Sequence, residues 1–97
     1  MILVRISDNQ IDISGHANYS DGNDIVCASV SSIMYTTVNA IMSFNKDAII
    51  YEDDNSVVSI KIKSKDEITS KLIKNMLNLF ESLANDYPKN IKIIEED

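Results

Sequence analysis

Cysteine is scarce in this sequence, which has a single one, Cys27, among 97 residues. One thiol excludes an internal disulfide, and the first residues lack the basic start and the long apolar core of a signal peptide. We therefore expect a protein of the reducing cytoplasm. One Cys and one His also supply too few ligands for a metal site without an accompanying carboxylate pattern, so we expect no metal. We expect no cofactor either.

Positive charge is scarce as well. Nine Lys and Arg residues stand against 15 Asp and Glu residues, so the formal net charge is −6. Proteins that bind a phosphate backbone usually carry a basic patch that releases counterions, so we expect no direct nucleic-acid ligand. The acidity is compatible with a cationic protein partner, but acidity that serves solubility alone is the more common explanation.

Long apolar runs are missing. The uninterrupted apolar stretches fall far short of the ~20 residues that a membrane span needs, so we expect no membrane association. The hydrophobic content of 44% is sufficient for a core, and we predict one domain over residues 1–97. The sequence contains no linker, no low-complexity tract and no convincing repeat.

The hydrophobic pattern predicts two hairpins, each followed by a helix. Residues 2–7 and 10–14 are rich in β-formers and flank the turn residues Asp8 and Asn9. Residues 47–52 and 56–63 form a second such pair. A final strand is predicted over residues 90–95, after Pro88.

The two helices are predicted from apolar residues that recur at steps of three and four. The first runs from Asp24 to about Phe44; its β-branched content lowers helix propensity, so we expect packing to hold it and most of it to be buried. The second opens at residues 64–67 and ends near Asp86. The predicted apolar faces are Val26, Val30, Ile33, Thr37, Ala40 and Phe44 in the first helix, and Ile68, Leu72, Met76, Leu79 or Phe80, and Leu83 in the second. The resulting order, strand-strand-helix-strand-strand-helix-strand, predicts an α+β domain with a mixed sheet carrying two helices.

The lone Cys and the lone His are the candidate functional residues. Cys27 falls in the first turn of the predicted helix, where unpaired N–H groups favour a thiolate and can stabilise an oxyanion on an attacked carbonyl. His16 follows a strand and can serve as the base for that thiol. Taken singly, Cys27 is more often a small buried hydrophobe, and His16 more often an idle surface residue.

The segment between them, residues 17–23, is polar and is expected to be exposed and able to open and close. Tyr19 either caps a cleft there or anchors the loop, and the anchor is favoured. Asp24 either caps the helix, orients His16, or does both, with capping favoured. Ser31 either hydrogen-bonds in the site or binds back to the carbonyl of Cys27.

Two motifs resemble a known family. The ribosomal-processing cysteine proteases called Prp have similar motifs, which here are the segments Gly15-His16-Ala17 and Asp24-Ile25-Val26-Cys27-Ala28-Ser29-Val30-Ser31. The element order is also similar to that family, as is the segment Tyr87-Pro88-Lys89-Asn90-Ile91. The resemblance implies a cytoplasmic, homodimeric cysteine endopeptidase. It also implies that Cys27 is the nucleophile, that His16 is the general base, and that Asp24 and Ser31 support them.

The resemblance further implies a substrate, the N-terminal extension of the precursor of large-subunit ribosomal protein twenty-seven, cut after paired aromatic residues. An apolar cleft beside the dyad is then expected. The alternative is a non-catalytic, ribosome-associated module that binds an extended peptide. A redox-sensing thiol ranks last, because there is no second cysteine to resolve a disulfide.

Overall fold

The first hairpin forms the middle of the sheet. In the computed structural model, which describes residues 1–20 and 24–96, β1 (Ile2–Ser7) and β2 (Gln10–Ser14) pair antiparallel, as predicted. Ile11 and Ile13 lie on the covered face, whereas Asp12 lies on the other face and accepts hydrogen bonds from Ser59 Oγ at 2.7 Å and Gln10 Nε2 at 2.9 Å. The period of two in the sequence therefore gives one apolar face and one polar face.

The remaining strands extend this hairpin on both sides. The second hairpin consists of β3 (Ile49–Asp53) and β4 (Val57–Ile62), and the chain ends in β5 (Ile91–Glu95). The five strands have the order β3-β4-β2-β1-β5, and β5 runs parallel to β1 while the other pairs are antiparallel. The prediction of a mixed sheet with two helices is confirmed.

Both helices cover one face of the sheet. Helix α1 (Ile25–Phe44) contacts β3, α2 (Glu67–Asp86) contacts β5, and the two helices pack on each other. The residues buried between these layers form one continuous core. Its fully buried, largest side chains are Phe80, Ile11, Ile41, Ile60, Met76, Val4 and Val26.

The predicted apolar face of α1 is correct only in part. Val26, Val30 and Thr37 are buried, but Phe44 is 68% exposed, and the remaining buried positions are Met34, Val38 and Ile41. The sequence of α1 is apolar around most of its circumference, so periodicity alone does not select one row. The expectation that most of α1 is buried is also wrong, because one side packs on the sheet and α2 while the other faces solvent.

The apolar face of α2 is displaced by one residue from the prediction only in the first half of the helix, where Thr69 and Ile73 are buried rather than Ile68 and Leu72. Met76 and Phe80 are buried as expected, whereas Ile68 and Leu79 are exposed. Thr69 is buried instead, because its hydroxyl donates to Oδ2 of the N-cap residue Asp66 at 2.9 Å and so enters the core with its polar atom satisfied.

Helix α1 is long and apolar enough, by length and composition, to cross a membrane. Serines and threonines divide its sequence, so it contains no long uninterrupted apolar run. The core helix of a soluble protein passes the same test, and α1 contributes five residues, Val26, Val30, Met34, Val38 and Ile41, to the hydrophobic core. The absence of a membrane partner stays a prediction.

Candidate active site

His16 is placed by the turn that ends β2. Gly15 has a φ of +84°, and a β carbon at this position would lie 2.3 Å from the carbonyl oxygen of Met1. Only glycine accommodates both this backbone conformation and this close approach. The turn therefore directs the chain away from β2 and places the exposed side chain of His16 at the end of the sheet.

Cys27 is placed by the N-terminus of α1. Asp24 is the N-cap residue, and its Oδ1 accepts hydrogen bonds from the N–H groups of Val26 and Cys27, each at 3.0 Å. Its Oδ2 accepts from the N–H of Tyr19 at 3.0 Å. The bond from Cys27 is the largest cause that lowers the pKa of Asp24, although partial desolvation opposes it, so the carboxylate stays ionised near neutral pH.

Of the roles considered for Asp24, the structure shows capping. Within residues 1–20 and 24–96 its carboxylate makes no hydrogen bond to His16. The expectation that the first-turn N–H groups are unpaired is wrong for Val26 and Cys27, because Asp24 already accepts from both.

The thiol receives a hydrogen bond from an unexpected donor. The N–H of Ala17 lies 3.2 Å from Cys27 Sγ, and Ala17 is only 1% exposed, although the sequence predicted an exposed loop at this point. The carbonyl of Ala17 accepts from Asn90 Nδ2 at 2.8 Å. Sequence reasoning missed these contacts, because Asn90 is 73 residues away from Ala17 along the chain.

Tyr19 also attaches this segment to the rest of the fold. Its ring packs edge-on against the ring of Tyr87, with the centroids 5.3 Å apart. This contact supports the anchor rather than the cap of a cleft. The prediction that the loop opens and closes concerns residues 17–23, of which residues 21–23 lie outside the described residues.

His16, Cys27 and Ser31 line one cavity of about 280 Å³ at the end of the sheet. Cys27 is half-buried and Ser31 is exposed. In the described part of the chain, the hydroxyl of Ser31 does not bond back to the carbonyl of Cys27, and the residue borders the cavity one helical turn from the thiol. The structure therefore brings three of the four predicted site residues together, and the fourth, Asp24, caps the helix beneath them.

The other walls of the cavity come from α1 and from the second hairpin. Tyr35 lies two turns after Cys27, a spacing of i to i+8 that the sequence could have revealed. The hairpin residues could not have been found from local sequence, because their position depends on β4 pairing with β2. The apolar wall consists of Ile2, Ile13, Val30, Met34, Val57 and Val58, and the hairpin contributes the polar residues Asp53, Asn55 and Ser56.

Tyr35 is held by a second tyrosine. Its ring lies edge-on to that of Tyr51, with the centroids 6.3 Å apart. Burial and the neighbouring Tyr35 hydroxyl raise the pKa of Tyr51 to about 12. In residues 1–20 and 24–96, no three His, Cys, Asp or Glu side chains are placed to hold a metal ion.

The sequence profile of the family described as Cysteine protease Prp matches residues 1–92. This chain belongs to the Prp family of cysteine proteases. It is 32% identical over 99 residues to the ribosomal processing cysteine protease Prp of Mycoplasma genitalium, with 99% of this chain and 97% of that protein covered. The Bacillus subtilis protein of the same name is 31% identical over 90 residues, which cover 84% of this chain and 80% of that one.

The fold agrees with this family. A crystal structure of the essential ribosomal processing protease Prp from Staphylococcus aureus, in complex with a covalently linked product peptide, matches with a TM-score of 0.91 and 25% identity. The match covers 99% of this chain and 100% of that one. The α+β architecture is therefore that of a Prp protease, and family membership makes this chain a cysteine protease.

Proposed function

We propose that this chain is an endopeptidase that removes the N-terminal extension of a large-subunit ribosomal protein precursor, with Cys27 as the nucleophile and His16 as the general base. The observation that carries the proposal is the shared cavity, which holds the lone thiol, the lone imidazole and Ser31 at the end of the sheet. The relatives named above are ribosomal processing proteases, and one of them is known with a covalently linked product peptide.

The surroundings of Cys27 suit a nucleophile. The side chain is half-buried rather than enclosed, it borders the cavity, and an N–H donor contacts its sulfur. Such a donor favours negative charge on sulfur, and the thiolate is the reactive form of cysteine. A cysteine that only filled the core would need neither the donor nor the cavity.

The reaction follows from these positions. His16 takes the proton of the Cys27 thiol, Sγ forms a bond to the peptide carbonyl carbon, and the carbonyl π electrons move to oxygen. When the oxyanion collapses, the carbon–nitrogen bond breaks and the imidazolium of His16 gives its proton to the leaving amine. Water then attacks the thioester with His16 as its base, which releases the new carboxyl end and the thiol.

The cavity walls suit an apolar segment of peptide. The wall of the cavity that holds the thiol includes Met34, Val57 and Val58. Tyr35 also lines it, two helical turns after Cys27. Apolar side chains of the substrate would pack against these residues and so be removed from water. This supports cleavage next to aromatic or aliphatic residues, as the family resemblance implies.

The cellular setting is part of the proposal. We infer that the enzyme acts as a homodimer in the cytoplasm and binds neither nucleic acid nor membrane. The single free thiol and the net charge of −6 support the compartment and the absence of a nucleic-acid ligand. The test is light scattering of the purified chain, and a measured molecular mass of about one protomer would contradict the dimer.

The test is cleavage of a peptide that spans the extension and the mature N-terminus, followed by mass spectrometry. We expect Cys27→Ala to abolish cleavage and His16→Gln to lower kcat and the rate of thiol alkylation at neutral pH, because no base then takes the proton. Cleavage by Cys27→Ala would refute the proposal.

Ser31 and Ser32 provide a matched pair of variants. Ser31 borders the catalytic cavity, whereas Ser32 lines the groove between the two helices on another side of α1. We expect Ser31→Ala to lower kcat/KM about tenfold, the value of one hydrogen bond to the site, and Ser32→Ala to leave it unchanged.

Binding of the peptide without cleavage by the parent chain would favour the non-catalytic module instead.

A further inference from the structure

Peptide hydrolysis by a thiolate needs donors for the oxyanion, and the N–H groups nearest the thiol are occupied. The N–H of Cys27 and that of Val26 donate to the carboxylate of Asp24, and the N–H of Ala28 donates to the carbonyl oxygen of Asp24 at 3.0 Å. Since the carboxylate is negatively charged, its bonds to Cys27 and Val26 are strong ones. The helix start therefore holds the nucleophile but does not offer its own N–H to the substrate.

The N–H of Ala17, which lies outside helix α1, is a donor to the thiol. It lies 3.2 Å from Cys27 Sγ. In a tetrahedral intermediate the oxyanion is two bonds away from Sγ, so a donor in contact with sulfur is within a small side-chain rotation of that oxygen. The peptide between His16 and Ala17 thereby faces the atoms that react.

Ala17, the residue that carries this N–H, is held by contacts that cross the fold. The Ala17 carbonyl accepts from Asn90 Nδ2 at 2.8 Å. The backbone of Asn90 is itself fixed, because its carbonyl accepts from the Ile2 N–H at 2.8 Å and its N–H donates to the Tyr87 carbonyl at 2.9 Å. Ala17 is also buried, so the Asn90 bond to its carbonyl and the surrounding core fix the position of the residue that carries the N–H.

We propose that the backbone N–H of Ala17 is the oxyanion donor of this enzyme and that Asn90 is the positioning residue that aims it. The proposal rests on the proposed proteolysis at Cys27. In the free enzyme the N–H donates to Cys27 Sγ. When Sγ bonds to the carbonyl carbon and the π electrons move to oxygen, the same N–H donates to the oxyanion, and it is released when the carbon–nitrogen bond breaks.

A backbone donor can be removed by replacing an amide with an ester. Because Cys27 is the lone cysteine, native chemical ligation can join a synthetic segment of residues 1–26 to an expressed segment of residues 27–97. Replacing Ala17 by lactic acid in the synthetic segment changes its N–H to oxygen and keeps its side chain and its carbonyl. The control is the same chain assembled without the ester.

We expect the ester to lower kcat about 100-fold and to leave KM within about twofold, because an oxyanion donor acts in the transition state rather than on the bound substrate. A peptide aldehyde adds the thiol across its C=O bond and places an oxygen at the same position. Its affinity should fall in parallel with kcat. An ester chain that matches the control within about threefold in both readouts would overturn the proposal.

Asn90 is tested on the same assay. We expect Asn90→Ala to lower kcat about tenfold with KM unchanged, and the matched variant Asn85→Ala, on the exposed end of α2, to have no effect. In the ester chain, Asn90→Ala should cause little further loss, because the donor that it aims is already absent. A full additional loss would show that Asn90 acts by another route, which would refute its role as a positioning residue for this N–H.

The two hypotheses fail in different ways. A control chain that folds but does not cleave the peptide would overturn the proteolysis and the donor with it. A control chain that cleaves beside an equally active ester chain would overturn the donor alone. If the ester chain does not fold, as judged by circular dichroism, the kcat and aldehyde affinity of Asn90→Ala decide the question.

Discussion

Gly15→Ala is the substitution that tests most directly how the fold holds the site. Gly15 stands between β2 and His16, with a φ of +84°. An alanine there would hold an unfavourable backbone conformation, and its β carbon would lie 2.3 Å from the carbonyl oxygen of Met1, well below the 3.0 Å that real contacts essentially never cross. The obstructing atom is backbone, so a side-chain rotation cannot relieve the contact.

The expected cost has two parts. A non-glycine residue in the left-handed region costs about 1–2 kcal/mol. Relief of the clash requires the start of β1 to move, which strains the 2.8 Å hydrogen bond from the Ile2 N–H to the Asn90 carbonyl and adds about 1 kcal/mol. We therefore expect Gly15→Ala to lower the free energy of unfolding by about 2–3 kcal/mol, or the melting temperature by roughly 8–24 °C for a domain of this size.

The assay is urea unfolding followed by circular dichroism, with peptide cleavage measured on the same samples at a temperature where the variant is folded. Because the turn at Gly15 places His16, kcat/KM should also fall, by about 10–100-fold. Asn55→Ala is the matched control, since Asn55 has a φ of +72° but is exposed. Asn55 already carries a β carbon in this conformation, so alanine there adds only part of the backbone cost and no clash. We expect it to cost less than about 1 kcal/mol. Equal losses for the two variants, or a loss below about 1 kcal/mol for Gly15→Ala, would refute this reasoning.

Three further predictions concern titration and packing. In a spectrophotometric titration, Tyr51 should ionise near pH 12, above its ordinary value of 10.0. The stability it contributes is present below pH 10 and lost as the pH rises towards 12, and ionisation of Tyr51 in the folded protein by pH 11 would contradict this. The lowered pKa of Asp24 contributes stability that is present above its ordinary value of 3.8 and lost as the pH falls through the lowered value. Asp24→Asn should therefore reduce urea stability more at pH 6 than at pH 2.5, and equal reductions at both pH values would argue against it. Phe80 is fully buried, so Phe80→Ala should cost about 3–5 kcal/mol in urea unfolding, and a loss under about 1 kcal/mol would mean that the core packs differently.

Local sequence was sufficient for the elements of this fold. Alternation over residues 10–14 predicts both the strand and its buried face, and the cap at Asp24 predicts where α1 begins. The choice of buried row on each helix was less predictable, because a helix packed against a sheet and a second helix buries more than one row. Thr69 is an example of a buried position that the apolar pattern does not predict, since its burial depends on a hydrogen bond to Asp66.

The site residues could be predicted where a local segment of sequence identifies them. Cys27 and Ser31 share a helix face, and His16 follows a strand that the sequence defines well. The contacts around them depend on pairing across the chain. The Asn90 amide reaches Ala17 because β5 lies beside β1, and the second hairpin borders the cavity because β4 lies beside β2. No periodicity in the sequence encodes these neighbours.

The central claim is that Cys27 cleaves a ribosomal protein precursor. The measurement that tests it most directly is mass spectrometry of the host's own large-subunit precursor after incubation with the parent chain and, separately, with Cys27→Ala. We predict that the parent chain shortens the precursor at a single site near its N-terminus and that Cys27→Ala leaves it intact. A precursor that carries an extension and stays intact with both chains, or is shortened by both, would contradict the account.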